Sequence, residues 1–430
     1  VFLKSLTLTN VRTFNHAEFN FQFGMNLLVG INAVGKSTVL DAIRILLSQS
    51  LLKVSQCRSK PLKFEDSDIA IDKNYLTAEI GFEIADTEFR YLVHQSRSLY
   101  IAASDRTGEV RDLAYTSDRR DLTPTEKEIP KSLKNARQQP LALYFSARRA
   151  LANSNRFTSK AKGLAAAFAD ALDHRELRLM ELADWWLAQT ALAAENAPNA
   201  QRHLDALNLA ISRTIDTCAN LRVHRETFNY QDKNGKLIPK TAIALLIEKS
   251  GQPFDLGQLS DGERGILALA LDLTRRLSQA NPHLEDPLQA QAVVLIDELD
   301  LHLHPKWQRA IVEKLTSTFP NCQFIATTHS PQIIGEVPPE SIILLEEGQP
   351  PLRPSQSLGM DTDWILKYLM GATTRNLETE TELKRIADLI ETEDYDEATE
   401  AIDTLRDRIG EFPELVRLQT RIDRLQLLGE

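Results

Sequence analysis

Residues 293–305, VVLIDELDLHLHP, crowd Asp297, Glu298, Asp300, His302 and His304 into eight positions. Taken as a set of ligands, this is a metal site. Taken by periodicity, it is a buried strand, VVLI, ending in two adjacent carboxylates. The first reading predicts a hydrolase with a bound transition metal, the second nucleotide hydrolysis. Another stretch decides between them. Gly30-Ile31-Asn32-Ala33-Val34-Gly35-Lys36-Ser37 fits G-x-x-x-x-G-K-[ST], with the buried run MNLLVG before it and a helical pattern after it. Backbone N–H groups of Gly30, Asn32, Ala33 and Gly35, continuing into Thr38, are placed to face phosphates. Lys36 reaches the β and γ phosphates, and the Ser37 hydroxyl binds Mg²⁺. The helix that starts near Lys36 adds its positive end.

Such a loop needs a carboxylate on a neighbouring strand to hold Mg²⁺, and Asp297 supplies it. Glu298, just past the strand end, can polarise an attacking water. Mg²⁺ is thus the one metal expected. His302 and His304 are read as fixing the turn before Pro305 rather than as ligands.

Two more motifs fall in a telling order. Leu259-Ser260-Asp261-Gly262-Glu263-Arg264 precedes the Asp-Glu strand by some thirty residues, and Thr327-Thr328-His329-Ser330 follows it by a similar distance. The first also fits an ordinary N-capped helix with a Ser-x-x-Glu box. Together the four motifs resemble those of ABC ATPases: P-loop, signature, Asp-Glu strand and switch histidine. The resemblance implies that His329 is the switch residue. It implies that Ser260, Asp261, Gly262 and Glu263 complete the nucleotide site of an opposite subunit, so that two copies pair around two ATP molecules. Asp300 would be the D-loop residue near that interface. Arg12, in LTNVRTF, resembles an arginine near nucleotide in SMC- and RecF-like ATPases. Gln138 and Gln139 are candidates for the Q-loop glutamine.

The signature lies more than two hundred residues after the P-loop, unlike a transporter subunit, and the form DELDLHLHP with THSP resembles the soluble SMC/RecF-like group. ILLEEG and Asp361-Thr362-Asp363 offer the carboxylates of a Toprim nuclease, but the latter begins a helix and no alternating strands follow. The whole-chain pattern, including YFSARR, DELDLHLHPKWQ and GMDTDWILKYLMGATTR, resembles the PtuA family of ATPases from Septu and related retron antiphage systems. That resemblance implies an HNH-type nuclease, PtuB, as partner. In retron versions it also implies a reverse transcriptase with its small DNA–RNA product. The competing expectation is a RecF-like repair ATPase that binds duplex DNA as an ATP-dependent dimer. Arg119, Arg120, Arg148, Arg149, Arg156, Lys160 and Lys162 could then form its surface. A third is a scaffold that binds ATP and barely hydrolyses it.

The elements that must position these residues follow from pattern. FLKSLTLTNV, AEFNFQF, MNLLVG, YLTAEIGFEI, EFRYLVHQ, SLYIAAS and LALYF read as strands. Residues 104–138 read as a polar loop or lid. Residues 163–195 and 201–221 read as a helical hairpin. VHRETFNYQ, a DKNG turn and TAIALLIEKS return to strand texture, and only helices follow residue 356. The expected class is α/β: an ABC-type P-loop head, a mixed sheet flanked by helices, with a helical insertion and an all-α C-terminal region. The expected segments are 1–150 and 221–355 for the two halves of the head, 151–220 for the insertion, and 356–430 for an acidic partner-binding tail.

The 430 residues carry a net charge of −10, which argues against a general nucleic-acid coat. From residue 376 onward there are 16 acidic and 7 basic residues, a composition suited to protein contact. Cys57, Cys218 and Cys322 are scattered, as expected in a reducing cytoplasm. No apolar run approaches membrane-spanning length, so no membrane contact is expected. The chain opens on a strand pattern without Met or a signal-peptide core, so at least one residue is expected to precede Val1.

Overall fold

In the computed structural model the described residues are 1–56, 60–97, 119–124, 138–150, 152–153, 163–174, 177–231, 237–373 and 375–428. The SLYIAAS strand, most of the 104–138 loop, the DKNG turn, Cys57, Arg156, Lys160 and Lys162 fall largely or wholly outside them. The chain forms two compact units, Val1–Asp361 and Thr362–Glu430.

The first unit is built on two sheets. One is antiparallel, in the order β2 (Phe14–Asn20), β1 (Phe2–Val11), β4 (Tyr75–Ile84), β5 (Thr87–Ser96) and β6 (Arg119–Thr123). The other is parallel, in the order β15 (Ile342–Leu345), β3 (Met25–Gly30), β14 (Cys322–Thr327), β13 (Ala292–Ile296) and β7 (Leu141–Phe145). Its strands are continuous apolar runs, as a sheet covered on both faces requires. Because all five run one way, their carboxyl ends share one edge. There the chain turns into loops, and there ligands bind in open α/β sheets.

Helix α1 (Lys36–Val54) lies against both sheets. Fifteen of its nineteen residues are buried, and its apolar residues share one core with the inner faces of β1, β4, β5, β13 and β14.

The insertion departs from the expected hairpin. Residues 163–195 are not one helix: α2 (Leu164–Phe168) ends in a turn where Asp170 takes φ 51°, and α3 (Leu179–Ala194) begins after it. Two-residue strands β8 (Ala152–Asn153) and β9 (Leu177–Arg178) pair in parallel across this region. Helix α4 (Ala200–Thr214) stops short of the expected 221, since β10 (Cys218–Gln231) starts inside that stretch. It forms an antiparallel ribbon with β11 (Leu237–Lys249), to which β12 (Gln252–Asp255) adds. Strand β6 also overturns part of the expected loop. With Leu122 as its one buried apolar residue, alternation there is too short to read.

Helix α5 (Asp261–Ala280) anchors the insertion. Arg276, fully buried, donates to the carbonyl of Ala169 and to Asp272, while Arg275 bridges Asp272 and Glu181. Helices α6 (Pro305–Thr318) and α7 (Pro331–Ile334) follow β13 and β14. Residues 356–361 still pack on this unit, through Ser357 Oγ on the Val337 carbonyl and Gly359 N–H on that of Gly335.

The second unit holds α8 (Thr362–Tyr368), which takes up Asp363 as the sequence suggested, then α9 (Leu377–Glu391), α10 (Tyr395–Ile409) and α11 (Pro413–Leu428). Ile386, Ile390, Ile402, Leu405, Leu415 and Ile422 make its own core. Among the described residues no helix is long and apolar enough to cross a membrane. Leu47 is fully buried between the sheets. Truncation to alanine leaves a cavity that two sheets cannot close, and Leu47→Ala is expected to lower stability by about 2–5 kcal/mol, read as an earlier urea-unfolding midpoint.

Candidate functional site

The site grows from the carboxyl edge of the parallel sheet. Strand β3 ends at Gly30, where a side chain is impossible: an added Cβ would sit 2.4 Å from the Leu345 carbonyl of β15. At Gly35, φ is 111° and a Cβ would strike the Phe14 ring at 2.6 Å. The loop between, with Ala33 also left-handed at φ 66°, is thus fixed by its neighbours. Gly35 offers no side-chain cap to α1, and the first turn of α1 holds no acidic residue. The helix N-terminus is left with donors facing outward, which suits a phosphate. Asn32, Ala33 and Ser37 are exposed, and Thr38 is buried. Lys36 is buried and donates to the carbonyls of Gly30 and Ile31, both at 2.8 Å. Burial lowers its pKa, and Asp297, Asp300 and Glu298 act against that shift.

Two strands away, the Asp-Glu turn is held from both sides. On one side Thr327, at the end of β14, donates from Oγ1 to Asp297 Oδ1 at 2.8 Å and accepts from Glu298 N–H at 2.7 Å. On the other, the buried Arg149 donates to the carbonyls of Asp297 (2.6 Å), Glu298 (2.7 Å) and Leu299 (3.3 Å). Glu298 itself takes φ 51°. A non-glycine residue pays for that conformation, and the clamp maintains it. Burial brings the Arg149 guanidinium down to about 10, against the pull of Asp300, Asp297 and Glu298.

Asp300 ties this turn to the switch strand. Its Oδ1 accepts from Thr328 Oγ1 at 2.6 Å and from His329 N–H at 3.1 Å. Burial and the nearby Lys36 lower the His329 pKa, and Asp300, Glu298 and Asp297 oppose them. His304 caps α6 by accepting from Lys306 N–H, and His302 occupies the preceding turn at φ 61°. Both therefore serve the turn.

The signature segment does form a capped helix. Ser260 accepts from Glu263 N–H, and Glu263 Oε2 accepts from Ser260 N–H and Oγ. Burial alone raises the Glu263 pKa. The 2.6 Å ion pair with Lys249 and the serine bonds bring it below the usual range. Ser260 and Asp261 remain exposed, while Gly262 is pressed on the turn after Asp300, where a Cβ would meet the His302 carbonyl at 2.4 Å.

The structure brings Lys36, Asp297, Glu298, Asp300 and His329 to one edge. Arg12 lies on the flank of the P-loop, where the next residues, Thr13 and Phe14, close on Gly35. Arg12 is held by Asp68 and Asp41 at 2.8 and 3.0 Å, bracing the β1–β2 turn against α1. Gln138 and Gln139 precede β7, at the amino edge of the parallel sheet and so opposite the nucleotide edge. The buried Gln139 accepts from Gln56 N–H instead. Arg149, expected on a DNA surface, is 6% exposed. Sequence reasoning also passed over Tyr144. It stands at the end of β7, edge-on to His174 at 5.0 Å and beneath Arg44 at 4.9 Å. Burial, then Asp297 and Asp41, raises its pKa.

Replacing Arg149 by methionine takes the guanidinium from all three carbonyls, of which that of Glu298 keeps the Leu301 N–H. Arg149→Met is expected to cost on the order of 3 kcal/mol in thermal unfolding. Turnover of ATP should fall while binding through Lys36 persists, as filter binding and phosphate release will separate.

Comparison with known proteins follows the same lines. The family described as "AAA domain, putative AbiEii toxin, Type IV TA system" matches residues 25–335. The Retron Ec83 probable ATPase of Escherichia coli is 28% identical over 461 aligned positions, spanning 95% of this chain and 83% of that protein. The Septu protein PtuA of Bacillus thuringiensis is 22% identical over 437 positions, 97% of either chain. Among solved structures, the SMC head domain from Thermotoga maritima is similar over 83% of this chain and the whole of that one, at 16% identity and a TM-score of 0.42. The similarity to the retron probable ATPase and to the Septu protein PtuA thus extends along nearly the whole chain. With its P-loop and Asp-Glu turn on one sheet edge, the chain is an ABC-type ATPase and belongs to the AAA-domain family that matches it.

Proposed function

We propose that this chain is the ATP-hydrolysing, regulatory subunit of an antiphage assembly whose cutting is done by a separate HNH-type nuclease. The observation that carries it is the joint one. Four motifs follow one another in ABC order along the sequence, with Lys36, Asp297, Glu298, Asp300 and His329 on one sheet edge, in a chain similar to a Septu PtuA over 97% of its length. The C-terminal unit, acidic and with its own core, is the docking region in this reading. A retron reverse transcriptase with its DNA–RNA product is a further partner where such an operon is present.

The residues present suit ATP and Mg²⁺. The uncapped N-terminus of α1 and Lys36 receive the phosphates. The exposed Ser37 hydroxyl and the Asp297 carboxylate, kept in place by Thr327, would hold Mg²⁺, whose chemistry there would be to neutralise phosphate charge. Glu298 orients a water and takes its proton as the oxygen attacks the γ phosphorus and ADP departs. His329, neutral at pH 7 because its pKa is lowered, can donate one hydrogen bond towards the γ phosphate. Ser260, Asp261, Gly262 and Glu263 act on the nucleotide of a second copy, with Asp300 beside that interface.

Glu298→Gln keeps the shape and removes the base. Phosphate release is expected to drop by about 10²-fold or more while ATP affinity holds, and an unchanged rate would sink the role. The lowered His329 pKa keeps the neutral ring favoured at pH 6.5 and above. The acid limb of kcat/KM should accordingly lie below 6.5 and be missing in His329→Asn, while any limb shared by both belongs to ATP. A tagged pull-down from the host compares the full chain with one ending at Asp361. An HNH protein recovered with the full chain alone supports the docking region, and no nuclease from either chain overturns the assembly.

A further inference from the structure

A second cleft opens at the other edge of the parallel sheet. It measures about 1170 Å³, counting its mouth. Its walls are Gln56 just past α1, Gln139 before β7, Trp185 and Gln189 on α3, His203 on α4, and Gln279 near the end of α5. Three features set its chemistry. First, among the described residues none of the lining is Lys, Arg, Asp or Glu, and its polar groups are carboxamides, a serine and the imidazoles of His203 and His283. Second, it offers carboxamides beside an aromatic pair: the Trp185 and His203 rings lie 24° from parallel at 6.5 Å. Third, it contains polar atoms with nothing to bond. His203 is 8% exposed. Its Nδ1 meets Gln189 Oε1 at 3.0 Å, while its Nε2 has no partner, and neither does Gln279 Oε1. Such atoms are expected to be satisfied, by solvent or by a ligand.

The position matters as much as the lining. Helix α1 starts at the P-loop and α5 at the signature, and this cleft receives the far ends of both. The carboxyl ends of helices carry partial negative charge, which disfavours anions and favours hydrogen-bond donors. Carboxamides read the donor–acceptor edge of a base, and aromatic rings take its face.

We propose that this cleft binds an uncharged nucleobase, free or presented by a single strand, and that its occupancy is felt at the nucleotide site through α1 and α5. Coupling of this kind is reciprocal. The inference draws on the ATPase site alone and stands whether or not a nuclease partner exists.

The test is calorimetry on the full chain with the P-loop saturated by Mg·AMP-PNP, so that added nucleosides cannot enter there. Adenosine, guanosine, cytidine and uridine are titrated, then ten-nucleotide single strands of each base. At least one is expected to bind. His203→Phe and Gln279→Met, which keep volume and remove the polar atoms, should each weaken that binding at least about tenfold while leaving AMP-PNP affinity intact. Binding by strands but not nucleosides assigns the source as single-stranded nucleic acid, and binding by nucleosides assigns free bases. In the reverse direction, the bound base should change AMP-PNP affinity by about fivefold or more. No heat from any ligand, or binding that survives both substitutions, overturns the site. Binding that leaves AMP-PNP affinity unchanged overturns the coupling.

Discussion

One buried cation holds the Asp-Glu turn together. Arg149 comes from the turn just after β7, the strand next to β13, and spends its guanidinium on the main-chain oxygens of Asp297, Glu298 and Leu299. Of these carbonyls only that of Glu298 has a further backbone donor, Leu301 N–H, and Glu298 is itself the left-handed residue of the turn. Thr327 completes the grip from the opposite strand. Three adjacent parallel strands thus converge on two carboxylates. What a hydrolase needs from its carboxylates is fixed position more than proximity, and here backbone bonds supply it.

The same economy governs the P-loop. Gly30 and Gly35 lie where β15 and Phe14 come too close for any side chain, so the loop's shape belongs to the fold around it. The helix it feeds is enclosed between two sheets, which leaves its N-terminus as the part free to meet a ligand. The two helices that begin at nucleotide motifs end differently at that point: α5 satisfies its first turn with Ser260 and Glu263, and α1 has no side chain to do so.

How much of this was legible follows from range. The P-loop, the Asp-Glu strand and the signature box are local, with spacing set by one strand end or one helix turn, and the parallel core strands announce themselves as unbroken apolar runs. The role of Arg149 was illegible because its partners are carbonyls, which leave no trace in side-chain pattern; as one basic residue after YFSA it suggested a surface. Gln139 was misplaced because sequence gives no direction to an edge until strand order is known. The break after Phe168 lay inside an alanine-rich stretch of high helix propensity, where tertiary contacts to Arg276 outweighed local preference. Strand β6, charged and short, exists through pairing with β5.

The contact of Gly262 with the His302 carbonyl has a consequence for how motion spreads. The start of α5 and the turn after Asp300 touch without room for a methyl group. A displacement at the start of α5 is therefore handed to that turn, whose Asp300 carboxylate also holds Thr328 and His329. In the proposed pairing of two copies, a contact made at one signature would thus reach the carboxylates of the same chain, and the two sites would be coupled.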